Sequence, residues 1–112
     1  MIITITSIKL RTLWSFFTLA HHALQILKQT RQQKGFITMK KTGFGKKHYT
    51  LSAWETAEDM KNFSSSGAHL TAMKQSRAIS TEIAIYSYSG EALPPWDEAK
   101  RLLEEKGKVF KY

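Results

Sequence analysis

The sequence contains no cysteine. Disulfide frameworks, thiolate nucleophiles, cysteine-ligated zinc and cysteine-ligated haem are therefore excluded. A reducing compartment suits such a chain. A membrane-spanning run is also lacking. Residues 13–24 are apolar, but His21 and His22 interrupt them, and the stretch falls short of the ~20 residues that cross a bilayer. No basic segment precedes it and no small-residue cleavage site comes after it. It is expected to form a core helix of a cytoplasmic protein, with no membrane partner. With only two prolines and six glycines there is no linker or low-complexity tract. Residues 1–112 are expected to be one domain with a modest core, to which association with a second copy would add apolar burial.

Negative charge is missing from half of the chain. No Asp or Glu precedes Glu55, whereas nine Lys and Arg do, and the remainder nearly balances eight basic against nine acidic residues. A field of this kind attracts nucleic acid, anionic lipid or an acidic small molecule. It is equally the soluble surface of a fold whose basic half partly faces its acidic half.

The patterning predicts alternating elements. Residues 2–8 are β-branched and read as a strand. Over residues 10–33 the period becomes helical, with Leu10, Leu13, Phe17, Ala20, Leu24 and Leu27 on one stripe and His22, Gln25, Gln29 and Gln32 opposite. Gly35 ends that helix. Strands come next at 36–41 and 46–54 around a Gly43-Phe44-Gly45 turn. Thr56 is placed to cap a second helix carrying Met60 and Phe63, which halts at 64–67 and restarts with Leu70, Met73 and Arg77. Residues 81–89 alternate as a fourth strand. Pro94-Pro95 opens a last helix that Gly107 stops, before a terminal strand at 109–112.

This order is α+β: a ferredoxin-like β-α-β-β-α-β unit with a C-terminal α-β extension. Two helices would cover one face of an antiparallel sheet. The other face would be bare, yet both faces carry apolar groups: Tyr49, Leu51 and Ala53 oppose Thr50 and Trp54, and Ile83 and Ile85 oppose Ala84, Tyr86 and Tyr88. A bare face bearing Tyr and Trp wants a partner, and a second sheet is the simplest one. A homodimeric α/β barrel is the expectation.

His69 is the titratable group best placed for chemistry. It comes after Gly67-Ala68 on the face of Leu70 and Met73, so its ring is expected in a cleft between helix and sheet, where Trp14, Phe17 and His21 also project. A neutral imidazole there can ligate a metal or haem, or act as a general base; it can equally cap its own helix or sit satisfied in the core. His21 and His22 are adjacent and diverge by about 100° on a helix, so they cannot chelate one metal. His22 falls on the polar face and is expected in solvent. His48 has no evident partner, and Glu82 is an isolated strand acid. Zinc-protease, paired-carboxylate and Ser-His-Asp signatures are absent.

Lys40, Lys41, Lys46 and Lys47 surround the glycine turn, where backbone amides and ammonium ions suit an anion as well as solvent; the spacing is not that of a phosphate-binding loop. Lys34-Gly35-Phe36 opens like an RNA-recognition motif, but Ile37, Thr38, Met39 and Lys40 do not continue it, and it lies on the wrong strand. Nucleic acid is not the expected partner.

The run Thr50-Leu51-Ser52-Ala53-Trp54, then Met60, Phe63, Gly67, His69, Ala72 and Arg77, resembles spheroidene monooxygenase and its small relatives, with Thr42-Gly43-Phe44-Gly45 at a comparable turn. The resemblance implies the dimeric α/β-barrel superfamily, which includes antibiotic-biosynthesis-type monooxygenases. It makes His69 a candidate haem-associated histidine and Trp54 a cleft-lining aromatic. Three readings are open. The first is a monooxygenase-like protein holding an apolar or aromatic ligand, with haem as a candidate cofactor: His69 is axial ligand or base, Trp14, Phe17, His21, Trp54 and Met73 line the site, and Arg77 pairs with a carboxylate. The second is a non-catalytic ligand-binding or dimeric module of the same fold. The third is a weak RNA- or anion-binding protein.

Overall fold

A computed structural model describes residues 1–64 and 78–112. The elements run β1 (Ile2–Leu10), α1 (Ser15–Gln32), β2 (Phe36–Phe44), β3 (Lys47–Trp54), α2 (Ala57–Ser64), β4 (Ser80–Ser89), α3 (Trp96–Lys106) and β5 (Lys108–Lys111). They build one antiparallel sheet in the order β2-β3-β1-β4-β5. The first four strands take the expected ferredoxin-like arrangement, and the C-terminal extension adds β5 outside β4. β1 is central because its Ile-Thr alternation serves both faces; Ile3 and Ile5 are fully buried.

The strand register defines the two faces. Ile3, Ile5 and Ser7 pair with Ala53, Leu51 and Tyr49 on one side and with Tyr88, Tyr86 and Ala84 on the other. Thr4, Thr6 and Ile8 pair with Ser52, Thr50 and His48, and with Ser87, Ile85 and Ile83. α1 and α2 lie on the second of these faces: Phe16 packs on His48, Met60 sits over Thr4, and Gln29 Nε2 donates to Phe63 O.

The first face is not bare. Ala99 and Leu103 of α3 pack into the main core with Ile3, Ile5, Leu51 and Ala84. Each large aliphatic residue buried there stabilises the fold by about 1.5–3 kcal/mol relative to exposure. The C-terminal extension thus folds back over the surface on which the expected dimer would rest, and Ala99 is small enough to let the helix approach closely. An uncovered sheet face therefore does not argue for a second copy.

Several boundaries differ from the sequence pattern for local reasons. Leu10 stays in β1, buried at the sheet end, and the helix begins only at Ser15, whose N–H donates to Thr12 Oγ1 at 3.2 Å. β2 continues through Gly43 to Phe44, leaving Gly45 and Lys46 as a two-residue turn with Gly45 at φ +62°. Thr56 caps α2 as expected, accepting the Asp59 N–H at 3.1 Å. Gly107 ends α3 in extended rather than left-handed geometry (φ −67°, ψ 145°). A side chain there would overlap the Leu103 carbonyl.

The helical phase of α1 is the larger correction. Of the expected core stripe, Leu13, Phe17 and Leu24 are 62–65% exposed, whereas Ala20 and Leu27 are half-buried. His22 and Thr30 are buried instead, flanked by the half-buried Leu19, Ala23 and Ile26. α1 carries two apolar stripes, and the stripe with small residues faces inward. Thr30 can be buried because its hydroxyl donates to Ile26 O at 2.6 Å within the helix.

Candidate functional site

The surface beneath α1 and α2 is unusually rich in hydroxyls. Ser52, Thr4 and Ser87 form a row across β3, β1 and β4. Thr4 Oγ1 lies 2.9 Å from Ser87 Oγ and donates to Met60 Sδ at 2.8 Å. Trp54 Nε1 donates to Ser52 Oγ at 3.3 Å. Thr6 and Thr50 make the next row, both half-buried. Ser52 is buried, Thr4 half-buried and Ser87 exposed, so the row runs from the interior out to solvent.

α1, which lies on the same face of the sheet, carries His22. Its side chain is 7% exposed, and Nδ1 is buried with no hydrogen-bond partner among the described residues. A buried ring nitrogen without a partner is destabilising by about 1–3 kcal/mol. Neutral imidazole has one donor and one acceptor nitrogen, so Nδ1 can supply or receive one proton-mediated contact according to its tautomer. The sequence pattern puts His22 in solvent, and the structure corrects this. Reading Leu19, Ala23, Ile26 and Thr30 as the inward stripe, at spacings of four, three and four, would have found it.

The other expected site residues are placed differently. Trp14 and Phe17 are 79% and 65% exposed, with ring centroids 5.9 Å apart on the outside of the molecule. They do not enter the cleft, because the phase of α1 turns them outward. His21 is also exposed; its Nε2 lies 3.1 Å from Gln25 Nε2. Trp54 lies on the helix-covered face, buried between Phe36 (5.6 Å) and Phe63 (4.8 Å). His69, Met73 and Arg77 lie outside the described residues.

Haem does not fit the described residues. A flat macrocycle needs facing walls, yet Trp14 and Phe17 point outward and Trp54 is sealed by its aromatic neighbours. Among the described residues no three His, Asp or Glu side chains gather as metal ligands. His48 bonds the Gly45 carbonyl at 3.0 Å within its own hairpin. Glu82 Oε1 approaches Lys47 Nζ at 4.0 Å, at the limit of an ion pair.

A cleft of about 380 Å³ opens on the opposite face, between α3, β5 and the sheet. Lys47, Lys100, Glu82 and Glu104 line it around Tyr49, and both ammonium groups lean on the Tyr49 ring, at 5.7 and 4.9 Å. Its charged walls suit a small polar molecule better than an apolar one.

Tyr88 is the described group whose acidity is clearly altered. Burial raises its pKa above the ordinary phenol value, and the nearby charges of Glu98 and Tyr86 add to the effect. No helix among the described residues is long and apolar enough to cross a membrane.

No protein-family model and no curated protein matches the chain. Solved structures do match its fold. A candidate antibiotic biosynthesis monooxygenase of Deinococcus radiodurans superposes with a TM-score of 0.72 at 17% identity, covering 85% of this chain and 98% of its own. SnoaB, a cofactor-independent oxygenase of Streptomyces nogalater, gives 0.64 at 13% identity, covering 84% and 96%. A candidate antibiotic biosynthesis monooxygenase of Nitrosomonas europaea gives 0.71 at 14% identity, covering 82% and 100%. At such identities the likeness concerns the fold, a ferredoxin-like α+β sheet shared with antibiotic-biosynthesis-type monooxygenases.

Proposed function

We propose that the chain is an oxygenase-like protein that binds a mainly apolar, aromatic ligand bearing a hydroxyl or carbonyl, between α1 and the hydroxyl-bearing face of the sheet. The observation that carries this reading is His22: a buried imidazole with an unpartnered nitrogen, on a helix that lies on the same face as the threonines and serines of the sheet. A ligand oxygen would satisfy Nδ1, while the half-buried Ile8, Ile83 and Ile85 offer apolar surface on the same face. The fold shared with SnoaB adds a chemistry that needs no prosthetic group. His22 would take a proton from the ligand, and the resulting anion would supply electrons to dioxygen. One oxygen atom would enter the ligand as a carbonyl in place of two hydrogens, one from carbon and one the hydroxyl proton taken by His22, and both leave with the other oxygen as water.

The likeness to spheroidene monooxygenase relatives makes His69, Met73 and Arg77 proposed partners of the same ligand. The proposed assembly is a homodimer in the cytoplasm.

The test is titration with a dihydroxynaphthalene, monitored by thermal stabilisation and by oxygen uptake. Wild-type protein is expected to be stabilised, and His22→Leu, while still folded, to lose about tenfold or more in affinity. Equal binding by both proteins, or none by either, overturns the reading. Binding without oxygen uptake would leave a ligand-binding module of the same fold.

A further inference from the structure

The outward stripe of α1 has no cover among the described residues. Phe17, Leu24 and Arg31 share one line along the helix, within about 40° of one another by helical geometry, and Leu13 lies in the turn just before it. The apolar members are 62–65% exposed, and Trp14 beside them is 79% exposed. The β2–β3 hairpin is tied to the same end: Leu10 N–H donates to Lys46 O at 2.7 Å, and Phe16 packs on His48 at 5.5 Å. Its tip carries Phe44, 94% exposed. Large apolar groups gathered at one end of a small protein mark an interaction surface rather than scattered exposure.

The charge around them identifies the partner. No acidic residue occurs in residues 1–54, which include all of α1 and the hairpin, and nine Lys and Arg do. The first turn of α1 has no acidic side chain to offset the positive end of its dipole, and Arg31 occupies the last turn. We infer that this end of the protein docks peripherally on an anionic lipid surface, with Trp14, Phe17 and Phe44 inserted at the acyl boundary and the basic residues of the first half over the headgroups. Aromatic and aliphatic side chains on one stripe of a helix that carries cations and no anions of its own are what such docking requires.

Other occupants fit less well. A second copy would bring the same uncompensated positive charge to the contact. A nucleic acid would match the charge but offers no apolar phase for Leu13 and Leu24. The inference is independent of what binds beneath α1.

Vesicles of phosphatidylcholine alone, or with phosphatidylglycerol, are mixed with the full chain at low salt and sedimented. Co-sedimentation is expected with the anionic vesicles only, and it should fall as salt is raised. Tryptophan emission should shift to the blue and be quenched by brominated acyl chains, because Trp54 is already buried, Trp96 packs against the main core on the far face, and Trp14 is the tryptophan that changes phase. Trp14→Gln with Phe17→Gln should weaken binding about tenfold or more without changing denaturation, since both side chains are exposed. Lys28→Glu with Arg31→Glu should weaken it through charge alone. Absence of binding to anionic vesicles, or undiminished binding by the glutamine variant, overturns the inference. So does a dimer that falls to the 12.8 kDa monomer in the glutamine variant, which assigns the stripe to a second copy.

Discussion

Gly35 and Asp59 meet at the junction of α1 with β2: a Cβ on Gly35 would fall on the Asp59 carboxylate. Gly35 also holds φ at +82°, and its carbonyl accepts the Glu55 N–H at 2.8 Å. One glycine therefore ends a helix, turns the chain and makes room for the first turn of α2. Gly35→Ala is expected to lower stability by at least about 2 kcal/mol, since backbone strain and a clash act together. Gly45→Ala, with φ +62° but open space around it, should suffer the strain alone, about 1–2 kcal/mol. Urea denaturation of the two variants gives the comparison; equal losses would mean that Asp59 moves aside freely.

The aromatic wedge at the base of α2 makes a second case. Phe63 is 4% exposed and packs on Trp54 at 4.8 Å. Phe63→Ala should cost about 3–5 kcal/mol, the usual effect of truncating a buried ring. Guanidinium denaturation monitored by far-ultraviolet circular dichroism would measure it, and a loss under about 1 kcal/mol, against that typical range, would show that the helix docks loosely.

His22→Leu is expected to raise stability by about 1 kcal/mol or more, because it removes an unpartnered buried nitrogen and keeps an apolar side chain of similar size. Thermal denaturation provides the check. A gain in stability together with a loss of ligand affinity is the pattern of a functional group retained against packing; a loss of stability would give the ring a structural role.

Tyr88 predicts an alkaline limb in stability. Its folded pKa lies above the unfolded value, chiefly through desolvation and then through Glu98 and Tyr86. The folded state favours the neutral phenol, so this contribution is complete below the unfolded value of ~10 and is lost as pH rises through the folded pKa. Denaturation midpoints measured from neutral to alkaline pH should fall less steeply in Tyr88→Phe than in the wild type. Ultraviolet titration should show one phenol fewer in the latest-titrating set of that variant.

The isolated charge pair should matter little. Lys47 and Glu82 are separated by 4.0 Å, with side chains 40% and 30% exposed. Lys47→Ala is expected to change stability by no more than about 1 kcal/mol. A larger loss at low salt would assign Lys47 a role in ordering the Tyr49 cleft.

Much of the architecture was decided locally. The β-branched alternation of β1, the threonine cap before α2, the glycine after α1 and the diproline before α3 each specify a backbone state through sterics or a nearby hydrogen bond. Those constraints lie within a few residues, so the element order and the ferredoxin-like sheet were legible in the sequence. The rotation of α1 was not. Its stripes of Leu13, Phe17 and Leu24 and of Leu19, Ala23 and Ile26 are both compatible with a helical period, and the more hydrophobic one misled. Only packing against the sheet, where small Ala23 and self-bonded Thr30 permit close approach, turned His22 inward and left Trp14 and Phe17 outside. The coverage of the Tyr49–Tyr86 face by α3 was likewise set by the path of the chain after Pro95, a long-range choice that no local pattern encodes.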